Sequence, residues 1–503
     1  MRRERSDFRL LRNDVKFERS SIFASLLEGG LFLSMVSVST MLGLFSFRRT
    51  GFRTASLGVF TMLALATGLH GQGSLLVDRL PEQSMPGLRS LLETAMTDSS
   101  SMRIRDLVEE NYEGRRMVSD SAKQFKLSGR ASYRKEEDVE KDDSEIRDRV
   151  YYSLTLSKAL YHWGALKASK QKGELYLRME ELSTFESYRK LALDVRRRYM
   201  NALIARKDIE LSKNSLELYR KQLEVEQKRL ESGSASSVQV YDLGLRVDGA
   251  ELDLLKKENT LRGEIETLAR VIGTDVEIVQ QSLTVDIPKR EGLDESMIQG
   301  LAQWFDDGVA RSASIERSSK GIEVYEKDVR IANQRLKPKI GLAIGLTQYD
   351  LDDRGARRAE EIFYGGISIT WSFFDGQATR GAKRSAIAKL EQTKAEFEQA
   401  KSNYRFNLEQ TQKELDLNTR ILERDEVALE RAREHVANIT QDFEAGRVTF
   451  SVFGRIEQSL LTQEIRTYRS RANYMNSLAE MASLLGFDPF AQKFIDSRRE
   501  SIK

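Results

Sequence analysis

Cysteine is absent from the 503 residues, and proline occurs only five times, at Pro81, Pro86, Pro288, Pro338 and Pro489. The first absence excludes disulfides, thiolate zinc sites, thiol catalysis and a lipid-modified cysteine anchor. The second leaves two proline-free spans, 87–287 and 339–488, in which very long helices can run unbroken. Histidine is equally scarce. His70, His162 and His435 lie far apart, and no carboxylate–histidine cluster, glycine-rich phosphate loop or metal-ligand spacing accompanies them. No catalytic residue, metal or cofactor is therefore expected, and the chain does not read as an enzyme. The abundant Glu and Lys suit solvated helix faces and i,i+4 pairs.

Charge of one sign is also lacking once the N-terminus is set apart. Residues 1–66 carry ten Arg/Lys and five Asp/Glu, so the net +3 of the whole chain becomes −2 for the remainder. Nothing in that balance argues for nucleic acid. Arg48, Arg49 and Arg53 precede an apolar run from Leu57 to Leu65 that ends in Ala64-Leu65-Ala66. This is the order of a secretory signal, and the run is too short to span a bilayer as a helix. Upstream, Gly29 to Phe47 is a stretch of 19 uncharged residues. Either translation begins further down, for example at Met41, or the chain carries an extra anchor; the reading favoured is a mis-set start.

What the chain does contain is a repeat. Gly233 and Gly446 are 213 residues apart, as are Ile272-Gly273 and Leu485-Gly486, Leu154 and Ile367, and Leu160-Tyr161 and Phe373-Phe374. Val195, Ala202, Ile209, Leu216, Leu223 and Leu230 recur every seventh residue, and so, 213 further on, do Leu408, Leu415, Leu422, Leu429, Val436 and Phe443. A seven-residue apolar period marks a coiled-coil seam. After Gly233 the period continues through Val240, Val247, Leu254, Leu261 and Leu268, so each copy holds a helical hairpin turning at its glycine. The expected organisation is an extension 1–46, a signal peptide 47–66, a linker 67–87, a first copy 88–273, a linker 274–300, a second copy 301–486 and a tail 487–503.

Short alternating runs interrupt the helices. Leu127, Gly129, Ala131 and Tyr133 form one and Ile340, Leu342, Ile344 and Leu346 another, with partners at 150–157 and 363–371. Period two over such lengths predicts strands with one apolar face. Charged loops, 134–149 and 347–362, join the pairs. The fold class is thus mainly α with a small β part. The stretch from Gly164 to Gly233 alone would reach roughly 100 Å as a helix. Four strands cannot close a barrel, but three chains would supply twelve. Tyr133, Tyr151, Tyr152, Tyr364, Trp371, Phe373 and Phe374 gather near strand ends, where an aromatic girdle is expected.

Three segments carry a resemblance. They are Ile331-Ala332-Asn333-Gln334-Arg335-Leu336-Lys337-Pro338 before a strand, Ser372-Phe373-Phe374-Asp375-Gly376 at a strand-to-helix junction, and Tyr188 to Val240 with its glycine turn, echoed around Gly446. Over nearly all of 88–486 the chain resembles the TolC-type outer-membrane efflux protein family. The resemblance implies a homotrimer whose twelve-stranded β-barrel sits in outer-membrane lipid and continues as an α-helical tunnel through the periplasm. It would be the exit duct of a tripartite efflux pump or a type I secretion system, served by a periplasmic adaptor and an inner-membrane pump. It also implies that Gly233 with Ser236, and Gly446 with Thr449, form the tips where an adaptor docks, the hydroxyls capping the next helix. Family members can place acidic residues after the second glycine to make a cation-binding constriction. The matching positions here are Val452 and Arg455, with Arg447 nearby, and rings of Arg447 or Arg455 would attract anions instead. An exported or soluble coiled-coil scaffold and a periplasmic adaptor are the alternatives.

Overall fold

Each proline-free span holds one helix of 67 residues. The computed structural model describes residues 76–136, 147–289, 292–353, 356–488, 490 and 492–493. The expected extension 1–46 and signal peptide 47–66, and most of the tail, lie outside the described residues. In chain order the elements are α1 (Pro86–Asp98), α2 (Ser100–Ser121), β1 (Lys126–Glu136), β2 (Arg147–Tyr161), α3 (Ala165–Glu231), α4 (Ser237–Ile272), α5 (Val276–Ser282), α6 (Glu295–Gly300), α7 (Phe305–Arg311), α8 (Ala313–Asn333), β3 (Lys339–Asp353), β4 (Ala356–Thr370), α9 (Ala378–Glu444) and α10 (Phe450–Leu484). The offset of 213 recurs in the element boundaries: α3 and α9 begin and end at equivalent residues, and α2 and α8, β1 and β3, and α4 and α10 begin at them.

Two backbone devices recur at the same offset. Each strand-to-helix junction needs two successive left-handed residues, Trp163-Gly164 at φ 54° and 85° and Gly376-Gln377 at φ 61° and 69°. Glycine occupies the second position in one copy and the first in the other, so each junction places one side chain in a region that L-residues resist. The hairpin turns at Gly233 and Gly446 are likewise left-handed, with φ 75° and 70°.

The core lies at mid-length of the long helices. Ala192, Val195, Tyr199 and Leu203 of α3 meet Leu88 and Leu92 of α1, Leu268 and Ile272 of α4, Leu408, Leu415 and Leu422 of α9, and Leu478 and Met481 of α10. The heptad seam is buried here and opens towards the tip: Val195 is fully buried, whereas Leu230 is 37% exposed. Both stretches expected as linkers are packed. Leu76, Leu80 and Met85 are buried at the N-terminal end, and Val279, Leu283, Ile287 and Leu293 are buried between the copies.

The four strands make one antiparallel sheet in the order β1-β2-β3-β4, so β1 and β4 are open edges. At 11 to 15 residues the strands are longer than the alternating runs predicted. Most of the expected charged loop 347–362 is strand, with Glu361 opposite Gln348 and Arg357 opposite Asp352, and residues at both ends of 134–149 are strand as well. Apolar alternation stops where the hairpins become polar, while backbone pairing continues. The middle of loop 134–149 lies outside the described residues.

Candidate functional site: the sheet and the hairpin tips

Register sorts the strand side chains into two faces. Leu127 pairs with Leu156, Tyr133 with Val150, Leu154 with Leu346, and Ile344 with Leu156. Across the next ladder Leu346 faces Phe363, Leu342 faces Ile367 and Ile340 faces Ile369. These residues share one face, and Leu127, Phe363, Ile367 and Ile369 are each more than 60% exposed. The opposite face carries Ser128, Arg130, Ser132, Ser153, Thr155, Ser157 and Thr347. Among the described residues nothing covers the apolar side, and a sheet that is wet on one face and apolar on the other suits lipid against its apolar face. No helix among the described residues is long and apolar enough to cross a membrane.

The expected aromatic girdle divides between the faces. Tyr133 and Tyr152 lie on the apolar face, whereas Tyr151 and Tyr364 lie on the polar one. Tyr364 lies over Gly345, where an added Cβ would come within 2.7 Å of its ring, and its hydroxyl meets the Thr155 hydroxyl at 3.1 Å. Gly345 thus lets a tyrosine brace three strands from the polar side. Trp371 and Phe373 follow β4, with ring centroids 4.5 Å apart, and Phe373 and Phe374 are about 80% exposed.

At the far end of the long helices the two tips are built differently. In the first, Gly233 bends the chain and Ser236 is the N-cap of α4. The Gln239 amide donates to Ser236 Oγ at 3.3 Å, and the Ser236 amide donates to Gln239 Oε1 at 2.9 Å, a complete capping box. In the second, Thr449 is the N-cap of α10, but its side chain makes no capping hydrogen bond, contrary to expectation. The reciprocal half of the box is missing as well: the equivalent of Gln239 is Val452, which has no polar atom to reach back to the Thr449 amide. An aromatic cluster fastens this tip instead. Phe443 stacks on Phe453 at 5.0 Å, and Phe450 sits 5.6 Å from Phe443 and 6.0 Å from Phe453. The first copy has Leu230, Ser237 and Val240 in those places, so sequence comparison of the copies could have found the cluster.

The two hairpins lie side by side near the tips. Gly454 of α10 lies so close to α3 that an added Cβ would meet the Gln222 side chain at 1.8 Å, and Ser215 donates to Gln458 at 2.7 Å. Of the three residues expected at a constriction, Arg447 is 74% exposed and donates to Asp442 at 3.0 Å within its own tip. Val452 and Arg455 are exposed on α10. Two residues beyond Arg455, burial pushes the Glu457 carboxyl up, against the opposing pull of Lys221. Among the described residues, no three His, Asp or Glu come together as a metal site.

The arrangement is known from other proteins. The family model for outer membrane efflux proteins matches residues 119–274 and 304–487, more than half the chain. No curated protein matches the sequence. Among solved structures, the outer membrane protein VceC from Vibrio cholerae is 17% identical with a TM-score of 0.64, over 79% of this chain and 96% of that one. The CmeC outer membrane channel of Campylobacter jejuni is 12% identical with a TM-score of 0.67, over 81% and 88%. The MtrE outer membrane channel of Neisseria gonorrhoeae in its open state is 14% identical with a TM-score of 0.62, over 80% and 89%. At these identities the likeness is one of fold. Sheet, hairpins and family match agree: the chain belongs to the outer membrane efflux protein family and serves as an outer-membrane efflux channel reaching into the periplasm.

Proposed function

We propose that three copies close into one duct, a twelve-stranded barrel continued by a helical tunnel whose tips receive a periplasmic adaptor and, through it, an inner-membrane pump. The observation that carries this is the pair of open sheet edges, β1 and β4, on a sheet with a bare apolar face. Open edges left in lipid would strand unpaired backbone groups, and closure removes them.

The repeat supports the same assembly in the helices. Within one chain α10 packs on α3. The equivalent partners, α4 and α9, belong to opposite ends of the unit. On α4, Val238, Tyr241, Leu245, Leu252 and Leu255 form a stripe that is 52–67% exposed in the single chain. Setting α4 of one protomer against α9 of the next would reuse the α10–α3 contact and cover that stripe. At the entrance, Arg455 is the residue best placed to form an anion-attracting ring, since Arg447 is already paired with Asp442.

The mass of the detergent-extracted protein, by light scattering corrected for bound detergent, tests the assembly. Three chains are expected. A monomer that stays soluble without detergent would overturn the duct and favour the scaffold.

A further inference from the structure

Along β2 the apolar row runs Leu154, Leu156 and then Lys158, whose cross-strand neighbour is Leu342. A cation on a lipid-facing row is costly at mid-membrane and tolerated near an interface, where the stem lies on apolar surface and the ammonium reaches out. Lys158 stands at the end of the sheet joined to the long helices, and its Nζ lies 4.3 Å from the centroid of the Phe125 ring.

A second lysine–aromatic pair lies at the same end of the sheet. The register shift between Ala159 and Tyr161 sets Tyr161 opposite Ile340, which brings it onto the apolar face. Tyr161 meets Trp163 edge-on at 5.1 Å. Trp163 is held by its left-handed backbone, φ 54°, and by donating its Nε1–H to the Pro338 carbonyl at 2.7 Å. Lys337 Nζ lies 5.0 Å from the Trp163 ring. Neither lysine has a carboxylate partner among the described residues.

We propose that Lys158 and Lys337, each backed by an aromatic ring, bind the phosphate of an anionic phospholipid at the periplasmic rim of the barrel. The inference rests on the membrane reading of the sheet. Each ammonium has three N–H donors and the ring occupies only one side, which leaves donors directed at a headgroup. The rings sit at headgroup depth, where aromatic belts form. Because the site is on the outside of the sheet, its occupant is a lipid of the inner leaflet and not a solute in transit. A net negative headgroup suits two unpaired cations better than a zwitterionic one, whose amine competes for the phosphate.

The test is lipid retention by the full detergent-solubilised protein, measured by native mass spectrometry with phosphatidylglycerol and phosphatidylcholine of identical acyl chains. The wild type is expected to retain phosphatidylglycerol preferentially. Lys158→Gln and Lys337→Gln should each reduce that preference about fivefold. The charge-conserving Lys158→Arg/Lys337→Arg protein should keep it, which guards against a folding defect in the glutamine variants. Equal retention of the two lipids by the wild type would overturn the lysine site and leave the barrel standing. Retention of neither would likewise overturn the lysine site, whereas a monomer soluble without detergent would overturn the barrel on which it rests.

Discussion

Arg196 of α3 and Asp488, just past α10, form a two-pronged ion pair in the interior, with Nη1 donating to Oδ2 at 2.6 Å and Nη2 to Oδ1 at 3.1 Å. Glu82 accepts from Nε at 3.0 Å and from Nη2 at 2.5 Å on the other side. All three side chains are 1–2% exposed, so one guanidinium ties three distant segments of the chain together. Burial acts to lower the pKa of this arginine, and the Asp488 and Glu82 carboxylates more than offset it, so that it is raised.

Removing one member of this network leaves a buried charge unpaired. Arg196→Met is expected to destabilise the helical part by about 3–5 kcal/mol. Circular dichroism during thermal unfolding checks this, and a midpoint within a degree or two of wild type would refute it.

Two buried tyrosines predict loss of stability at high pH. Tyr199 donates to the Ser282 carbonyl at 2.9 Å, and burial pushes its hydroxyl up to about 12. Tyr468 accepts from the Ile287 amide at 3.0 Å and is likewise raised to about 12, chiefly by burial. A raised acid holds its proton longer in the folded chain than in the unfolded one. Its contribution is complete below pH 10 and is lost as pH climbs towards 12. The loss should be about 2–3 kcal/mol per tyrosine, and Tyr199→Phe should abolish its share. Urea titrations at neutral and alkaline pH give the comparison, and identical slopes of stability against pH in wild type and variant would count against it.

The tips differ in how they are capped, so equivalent substitutions should differ in effect. Ser236→Ala removes a working cap and should cost about 1 kcal/mol locally, whereas Thr449→Ala should cost little. Val452→Gln supplies the missing partner for a capping box and should protect the first turn of α10. Amide hydrogen exchange at the tips reads all three. Equal deprotection by the two alanine variants would show that the two tips do not differ in their capping.

The entrance should respond to Arg455 more than to Arg447. Among the described residues Arg455 has no side-chain partner, while Arg447 is neutralised by Asp442. Arg455→Asp is expected to shift the cation-to-anion permeability ratio towards cations by roughly twofold or more, and less at high salt. Reversal potentials in planar bilayers measure it, and an unmoved potential would remove the arginine ring from consideration.

The long helices were legible because coiled-coil packing repeats: Leu408, Leu415 and Leu422 are each buried, as a seven-residue period requires. Strand lengths were not, because alternation vanishes beyond Tyr133 and Leu346 while pairing persists. Arg196 stands in a run of three arginines, and nothing local separates the buried one from Arg197 and Arg198. Partners as remote as Glu82 and Asp488 appear only once the chain is folded. Lys158 did leave a trace, as the one charge in the alternating row from Val150 to Leu160. Thr449 shows a further limit. A hydroxyl at the right place predicts a cap, yet the cap forms at Ser236 and not at Thr449.

Because both tips are encoded on one chain by separate copies, a mutation in one leaves the other unchanged. Six identical hairpins from an unfused half-length unit would all have to change at once. Fusion lets the polar tip at Gly233 and the aromatic tip at Gly446 drift independently, so in the proposed trimer one set of hairpins could change its docking surface while the other set stays as it was.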